Sequence, residues 1–175
     1  SHPLTTGMIG MHGSKASNTA CDECDLLIAV GCRFSDRVAL NPATFAHQAQ
    51  ICQIDIDRAE IDKNVLTDHH IIGSARRVLA MLNEKLPQYD HSEWKAHILP
   101  LRAPSVAEDS DHLTPQQVLE TIRIQMPEDA VVATDVGQHQ MWAIKYLPFQ
   151  YPGQMLTSGG FGTMGFGLGA AMGAK

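Results

Sequence analysis

At 175 residues, 44% of them hydrophobic, the chain has material for a sizeable core in one large domain or in parts of two. A formal net charge of −6 and a pI near 5.8 exclude the basic footprint of a nucleic-acid or anionic-membrane binder. No apolar run approaches the ~20 residues that span a bilayer, and the opening SHPLTTGMIG lacks the basic and apolar segments of a secretory leader, so a soluble, intracellular protein is expected.

Residues 1 to 13 are rich in Gly, Thr and Met and imply a loop, with a turn at Gly10-Met11-His12-Gly13. Ser14 to Cys24 reads as a helix, although Ser17, Asn18 and Thr19 are weak helix formers. Cys21 and Cys24 have the C-x-x-C spacing of zinc and redox sites. A zinc site needs a second ligand pair at matching spacing, and a redox pair follows a strand at a helix start. Here the pair closes a helix ahead of a strand, so a structural role is expected. His69 and His70 are neighbours that face different directions on any regular element, and H-E-x-x-H is absent, so no histidine-built metal site is expected.

Leu26 to Gly31 (LLIAVG) is a continuous apolar run, expected as a buried strand of a parallel sheet. The following Gly31-Cys32-Arg33-Phe34-Ser35-Asp36-Arg37 therefore stands at a strand's carboxyl end, where open α/β sheets bind ligands. Two arginines there can pair with phosphate or a planar group; the alternative is a solvated loop with a weak Arg–Asp pair. Ile51 to Ile56 is the next strand and ends in Asp55-Ile56-Asp57. An acid in that place commonly accepts from ribose hydroxyls, but no glycine fingerprint precedes it, so an ordinary NAD site is not expected. Ile71 to Ser74 reads as a short strand, followed by a helix from Ala75 to about Leu86.

Pro87 to Pro115 is polar and carries the acidic patch Glu108-Asp109-Ser110-Asp111. A short helix fits around Glu93 to Leu101. The remainder reads as a linker, which puts a domain boundary within 88–113, between an amino-terminal part (1–87) and a carboxyl-terminal part (114–175). Thr114, Pro115 and Gln117 form a T-x-x-Q capping box opening a helix to about Gln125, which Pro127 ends.

Ala130 to Thr134 is strand-like, Asp135–Gly137 a loop, and a helix begins at Gln138. Met155 to Thr157 then repeats the pattern, opening into the loop Ser158 to Gly165 and a helix from Phe166 to Ala174. Two strand–loop–helix units in tandem suit a parallel α/β sheet with ligands at the strand ends. Gly160 to Gly165 formally satisfies G-x-G-x-x-G, but a dinucleotide site also wants an acid about 20 positions on. The Gln138–His139 helix start favours an anion. The chain has no initiator Met and ends partway along an expected helix, so a fragment of a longer protein or an excised domain is expected.

The wording GQHQMW, then TSGGFGTMGFGLGAA, resembles the thiamine-diphosphate enzymes and specifically the acetolactate synthase large subunits. GMIGMHGS, DLLIAVGCRFSDRV and ICQIDIDRAEIDKN extend the resemblance over nearly the whole chain, loosest from about Gln88 to Asp111. It implies a Rossmann-like parallel sheet, the FAD-binding middle domain, followed by the start of a second α/β domain that binds thiamine diphosphate.

FAD would then lie against Met11, His12, Gly13, Gly31, Arg33, Asp55 and Ile56; Ser74 stands where the family usually has Asp, so the resemblance does not extend to that one bond to FAD. Asp36 and Arg37 match the substrate and herbicide channel. Val136, Gly137, Gln138 and His139 would line the thiamine diphosphate site. The Gly162 carbonyl and Met164 N–H would bond the aminopyrimidine, and the Met164 side chain would wedge the cofactor into its bent form. In the family that bend would place the imino nitrogen within reach of the thiazolium C2 proton.

The family's catalytic Glu and its Mg²⁺ ligands match no residue here, so the piece alone should be inactive. The resemblance further implies 2-oxo acid substrates, a homodimer or tetramer, a possible regulatory subunit and a cytoplasmic, bacterial-type location. A glyoxylate carboligase or a non-catalytic dinucleotide-binding module are the alternatives.

Overall fold

The computed structural model describes residues 2–102, 112–147 and 149–175. The chain divides into two compact units, Thr6–Ala103 and Ser1–Thr5 with Pro104–Lys175, each a small α/β assembly with parallel strands.

In the first unit, α1 (Lys15–Glu23) leads into β1 (Leu26–Val30) and β2 (Gln50–Asp55). A 3₁₀ turn at Arg58–Glu60 precedes β3 (His69–Ile72), and α2 (Ala75–Lys85) and α3 (Ser92–Ile98) follow. The strands lie in the order β1-β2-β3, all parallel, with Leu27 opposite Ile51 and Ile54 opposite Ile71. Ser14 caps α1: its hydroxyl accepts from the Ser17 N–H at 3.0 Å and donates to the Thr6 carbonyl at 2.6 Å. Cys21, Ala29, Phe34, Ala39, Ala46, Ile51 and Val65 form one buried cluster on the α1 side of the sheet.

Two expectations are corrected. β1 is a strand but not a buried one: Leu26, Ile28 and Val30 are 50%, 45% and 38% exposed, while the alternating Ala29 is buried. Among the described residues β1 pairs with β2 alone, and its apolar side chains are covered on one face. β3 starts two residues earlier than the apolar pair Ile71-Ile72, because register with Cys52 and Gln53 brings His69 and His70 into the ladder. The short helix expected around Glu93 to Leu101 is present as α3, continued by a 3₁₀ turn at Leu99–Arg102. Ile98 of α3 is buried, and the His97 Nε2 lies 2.7 Å from the Glu23 carboxylate of α1. The acidic patch of residues 108–111 lies outside the described residues.

The second unit comprises α4 (Pro115–Gln125), β4 (Val132–Thr134), α5 (Gln138–Tyr146), β5 (Met155–Thr157) and α6 (Phe166–Ala174). β4 and β5 pair in parallel, with Thr134 opposite Thr157. β4 begins later than the apolar run, since the Ala130 N–H closes a turn on the Pro127 carbonyl at 3.1 Å. Gln154, 6% exposed, accepts from the Gln150 and Tyr151 N–H groups and donates to the Glu128 carbonyl.

The capping box of α4 is complete. Thr114 Oγ1 accepts from the Gln117 N–H at 3.3 Å, and the Gln117 side chain accepts from the Thr114 N–H at 2.8 Å. Thr114→Ala removes the first of these and should cost about 1 kcal/mol, read as a lower denaturation midpoint with an unchanged slope. An unchanged midpoint would mean that the box contributes nothing to stability.

Candidate functional site

Two groups of sequence-predicted residues come together, one in each unit. In the first unit the carboxyl ends of all three strands lie in one row. The Gly31 N–H continues the ladder to the Ile54 carbonyl at 2.9 Å, and the Gly73 N–H to the Asp55 carbonyl at 2.8 Å. Gly31-Cys32-Arg33, Asp55-Ile56 and Gly73-Ser74 are therefore neighbours on that edge. Gly31 has φ +61° and open space where a Cβ would stand, so its backbone faces outward unobstructed. Asp55 Oδ1 accepts from the Asp57 N–H at 3.0 Å, leaving an anchored carboxylate at the edge. Ile56 is 75% exposed there.

The turn at residues 10–13 closes through the Gly13 N–H and the Gly10 carbonyl at 2.9 Å. The Met11 N–H donates to the Arg37 carbonyl at 2.8 Å, which ties Met11, His12 and Gly13 to Asp36 and Arg37. Gly13 has a reason of its own to be glycine. A Cβ there would meet Asn18 Oδ1 and the Met8 carbonyl oxygen, both at 2.7 Å, so close packing within the loop already requires it. Arg37 and Asp36 pair loosely at 3.6 Å with both side chains exposed, which contributes little to stability and leaves both ends accessible.

Composition and spacing did not reveal the amides that hold these loops. Asn18 grips Gly10 from both sides, accepting from its N–H at 2.8 Å and donating to its carbonyl at 3.0 Å. Gln53, fully buried in β2, donates to the Cys32 and Glu60 carbonyls at 2.9 and 3.2 Å. Asn64 donates to the Arg33 carbonyl at 2.7 Å. The one available signal was a Gln inside the apolar run ICQIDI, a polar group whose burial demands partners.

The four cysteines are free thiols. Burial, then the neighbouring Cys24, Asp22 and Cys32, push the Cys21 thiol up to about 11. It is therefore protonated at neutral pH and a poor nucleophile. Alkylation of Cys21 by iodoacetamide at pH 8 should run about a hundredfold or more slower than that of free cysteine; a free-cysteine rate would contradict its burial.

In the second unit, β4 and β5 end side by side and feed two helix starts. Asp135-Val136-Gly137 leads from β4 into α5, where Gly137 at φ +131° forms the cap and Gln138 and His139 the first turn. Residues Ser158 to Gly165 lead from β5 into α6. Thr134 Oγ1 and Gln140 Nε2 each donate to Thr157 Oγ1, at 2.9 and 2.7 Å, joining β4, α5 and β5 at one point. Ser158 shapes the glycine loop, accepting from the Gly162 N–H at its carbonyl (2.9 Å) and from the Thr163 N–H at its hydroxyl (3.1 Å). Asp135 closes the loop's far end through the Gly165 and Gly167 N–H groups, both at 3.0 Å. Those N–H groups hold its carboxyl below the usual carboxylate range.

This edge suits a phosphorylated cofactor with a planar ring. The α5 start offers backbone N–H groups and the positive end of a helix dipole. Gly162, at φ +63° with nothing within 4 Å of a Cβ position, presents bare backbone to the same edge. Met164 is 84% and Phe161 fully exposed, two large apolar side chains beside a polar cradle. Val136, Gly137, Gln138, His139, Gly162 and Met164 all belong to these two loops and helix starts.

Comparison with known proteins agrees with this division. The family model for the thiamine pyrophosphate enzyme central domain matches residues 1–82, and that for the C-terminal TPP binding domain matches residues 135–175. The acetolactate synthase large subunit of Lactococcus lactis is 44% identical over the whole chain, which spans 31% of that protein. Isozyme 2 of the Escherichia coli large subunit is 44% identical over 99% of the chain and 32% of its own length. The Corynebacterium glutamicum large subunit is 45% identical over the whole chain and 29% of its own length. The chain thus spans about a third of the length of the curated relatives it matches. A parallel-stranded first unit, a second unit with a glycine loop at its strand ends, and the two family models in that order lead to one assignment: the chain belongs to the thiamine pyrophosphate enzymes, and along nearly its whole length it is similar to acetolactate synthase large subunits.

Proposed function

We propose that the chain is the central third of an acetolactate synthase large subunit. That enzyme would condense pyruvate with a second 2-oxo acid, pyruvate or 2-oxobutyrate, with loss of CO₂, for branched-chain amino-acid biosynthesis. The observation that carries this is the meeting of the α5 start and the Gly162–Met164 loop on one sheet edge, inside the segment matched by the TPP binding domain.

When bound, thiamine diphosphate supplies the carbon nucleophile and the electron sink for decarboxylation. The chain's part is to bind and orient it. Val136, Gly137, Gln138 and His139 would receive the diphosphate at the helix start. The Gly162 carbonyl would accept from the aminopyrimidine, the Met164 N–H would donate to it, and the Met164 side chain would keep the two rings bent together. Mg²⁺ would accompany the diphosphate and neutralise its charge, and no residue of this chain is assigned to hold it.

FAD, as a structural cofactor, would lie along Met11, His12, Gly13, Gly31, Arg33, Asp55 and Ile56. Asp36 and Arg37 would line the approach to the substrate. In this reading residues 1–87 belong to the FAD-binding middle domain, 88–113 to the linker and 114–175 to the thiamine diphosphate domain. A homodimer or tetramer, an added regulatory subunit and a cytoplasmic location belong to the same proposal.

The test is the full-length subunit assayed with pyruvate, thiamine diphosphate and Mg²⁺, with arms lacking FAD and arms given glyoxylate. Acetolactate formed only in the presence of FAD supports the whole proposal. Product from glyoxylate alone would make it a glyoxylate carboligase, and no product from either would leave a non-catalytic nucleotide-binding unit.

A further inference from the structure

α6 begins without a cap of its own. Its N-cap is Gly165, at φ +83° in the left-handed region, which has no side chain to satisfy the first N–H groups. The acceptor comes instead from thirty residues away: Asp135 Oδ2 takes the Gly165 N–H and Oδ1 the Gly167 N–H, both at 3.0 Å. A second, independent feature seats the helix in the same place. The Cβ position of Gly167 is 2.8 Å from the Asp135 nitrogen and 3.0 Å from the Thr134 carbonyl carbon, so only a glycine lets α6 approach the end of β4 this closely.

Met164 is the residue immediately before this clamp, and at 84% exposed it has little packing to fix it. The loop that carries it is held on one side by Ser158 and on the other by Asp135. Asp135 is also the residue immediately before Val136 and Gly137, which lead into α5. One side chain therefore ties the cradle's two halves together: it is continuous in the chain with the diphosphate half and hydrogen-bonded to the Met164 half.

We propose that Asp135 is a positioning residue that sets the Met164 loop in register with the diphosphate-binding start of α5. It acts through Met164 and touches no reacting atom. This rests on the thiamine diphosphate reading given above and deepens it. The diphosphate grip belongs to α5 and does not run through Asp135, so loss of the carboxylate should spare cofactor affinity while spoiling the cofactor's shape. Misplacement of a positioning group by about 1 Å can cost about a hundredfold in rate.

The experiment uses the full-length subunit with Asp135→Ala and Asp135→Asn, read four ways. Thiamine diphosphate affinity is measured by calorimetry, and kcat and KM are measured with pyruvate. Exchange of the bound cofactor's C2 proton is followed by NMR, and amide hydrogen exchange at residues 165–167 by mass spectrometry. Asp135→Ala should keep cofactor affinity within about threefold, lose kcat and C2 exchange together by about a hundredfold, and expose the 165–167 amides. Asp135→Asn keeps one acceptor in the same shape and should fall between the two. Equal C2 exchange and kcat in wild type and Asp135→Ala would overturn the inference alone. So would a loss of affinity as large as the loss of kcat, the mark of a merely structural role. Failure of the wild-type subunit to bind thiamine diphosphate would overturn the functional reading and this inference with it.

Discussion

Gly10→Ala is expected to unfold the Thr6–Ala103 unit under conditions in which the wild type is fully folded. The new Cβ would overlap the Arg37 carbonyl oxygen and stand 2.7 Å from the Val38 Cα. Both are backbone atoms, so no side chain can swing aside. Gly10 also has φ +92°, outside the range an L-residue adopts without strain. Relief by displacement would break the Asn18 bonds on both sides of Gly10 and the Met11 to Arg37 bond. Backbone strain and forced repacking together put the cost at about 3–5 kcal/mol, against a total of about 5–15 kcal/mol for a domain. A thermal melt of the chain followed by circular dichroism checks it. A midpoint within about 2 °C of wild type, where 1 kcal/mol moves a domain of this size by about 4–8 °C, would show that the loop does not pack as described.

Gly167→Ala and Gly169→Ala should have effects of opposite sign on one helix. Alanine is the better helix former by about 1 kcal/mol, and at Gly169 a Cβ meets nothing within 4 Å, so that substitution should stabilise. At Gly167 the same methyl group meets the Asp135 nitrogen at 2.8 Å and the Thr134 carbonyl carbon at 3.0 Å, again backbone. Overpacking of this kind costs about 1–3 kcal/mol, more than the propensity gain. Pushing α6 off β4 also lengthens the Asp135 to Gly167 bond. Urea denaturation of the two variants distinguishes the cases by the direction in which each midpoint moves. Two stabilised variants would mean that α6 is not seated on the end of β4.

Local chemistry made most of the elements legible. The capping box at Thr114, Pro115 and Gln117 starts α4 where its side chains dictate, and Met155–Thr157 and Phe166–Ala174 carry their signals within a few residues. Features that depend on pairing partners were not legible. The run LLIAVG is equally apolar whether both faces of β1 are covered or one, and only the positions of α1 and β2 decide that Leu26, Ile28 and Val30 are exposed. β3 begins at His69 because β2 offers ladder partners there, which no property of two histidines announces.

For the candidate site, the glycines and helix starts stood out because their conformational demands are written in residue type. Asp135 did not, since its role lies in two N–H groups thirty and thirty-two residues further along. The grips of Asn18, Gln53 and Gln140 were hidden for the same reason. The packing of Gly13 against Asn18 and Met8, which requires a glycine there, was hidden in the same way.

The central claim is that the carboxyl ends of β4 and β5 form a thiamine diphosphate cradle, and Gly162→Asn tests it most directly. Asparagine tolerates the positive φ of +63°, and among the described residues none beyond its chain neighbours lies within 4 Å of its Cβ position, so the fold should survive. Its side chain would fill the space that the cofactor's ring needs. Calorimetric titration of thiamine diphosphate with Mg²⁺ into the full-length subunit should show saturable binding to the wild type, and binding weakened at least about thirtyfold, or 2 kcal/mol, to a variant that melts normally. Equal affinity of the two proteins, or no binding by the wild type, would contradict the account.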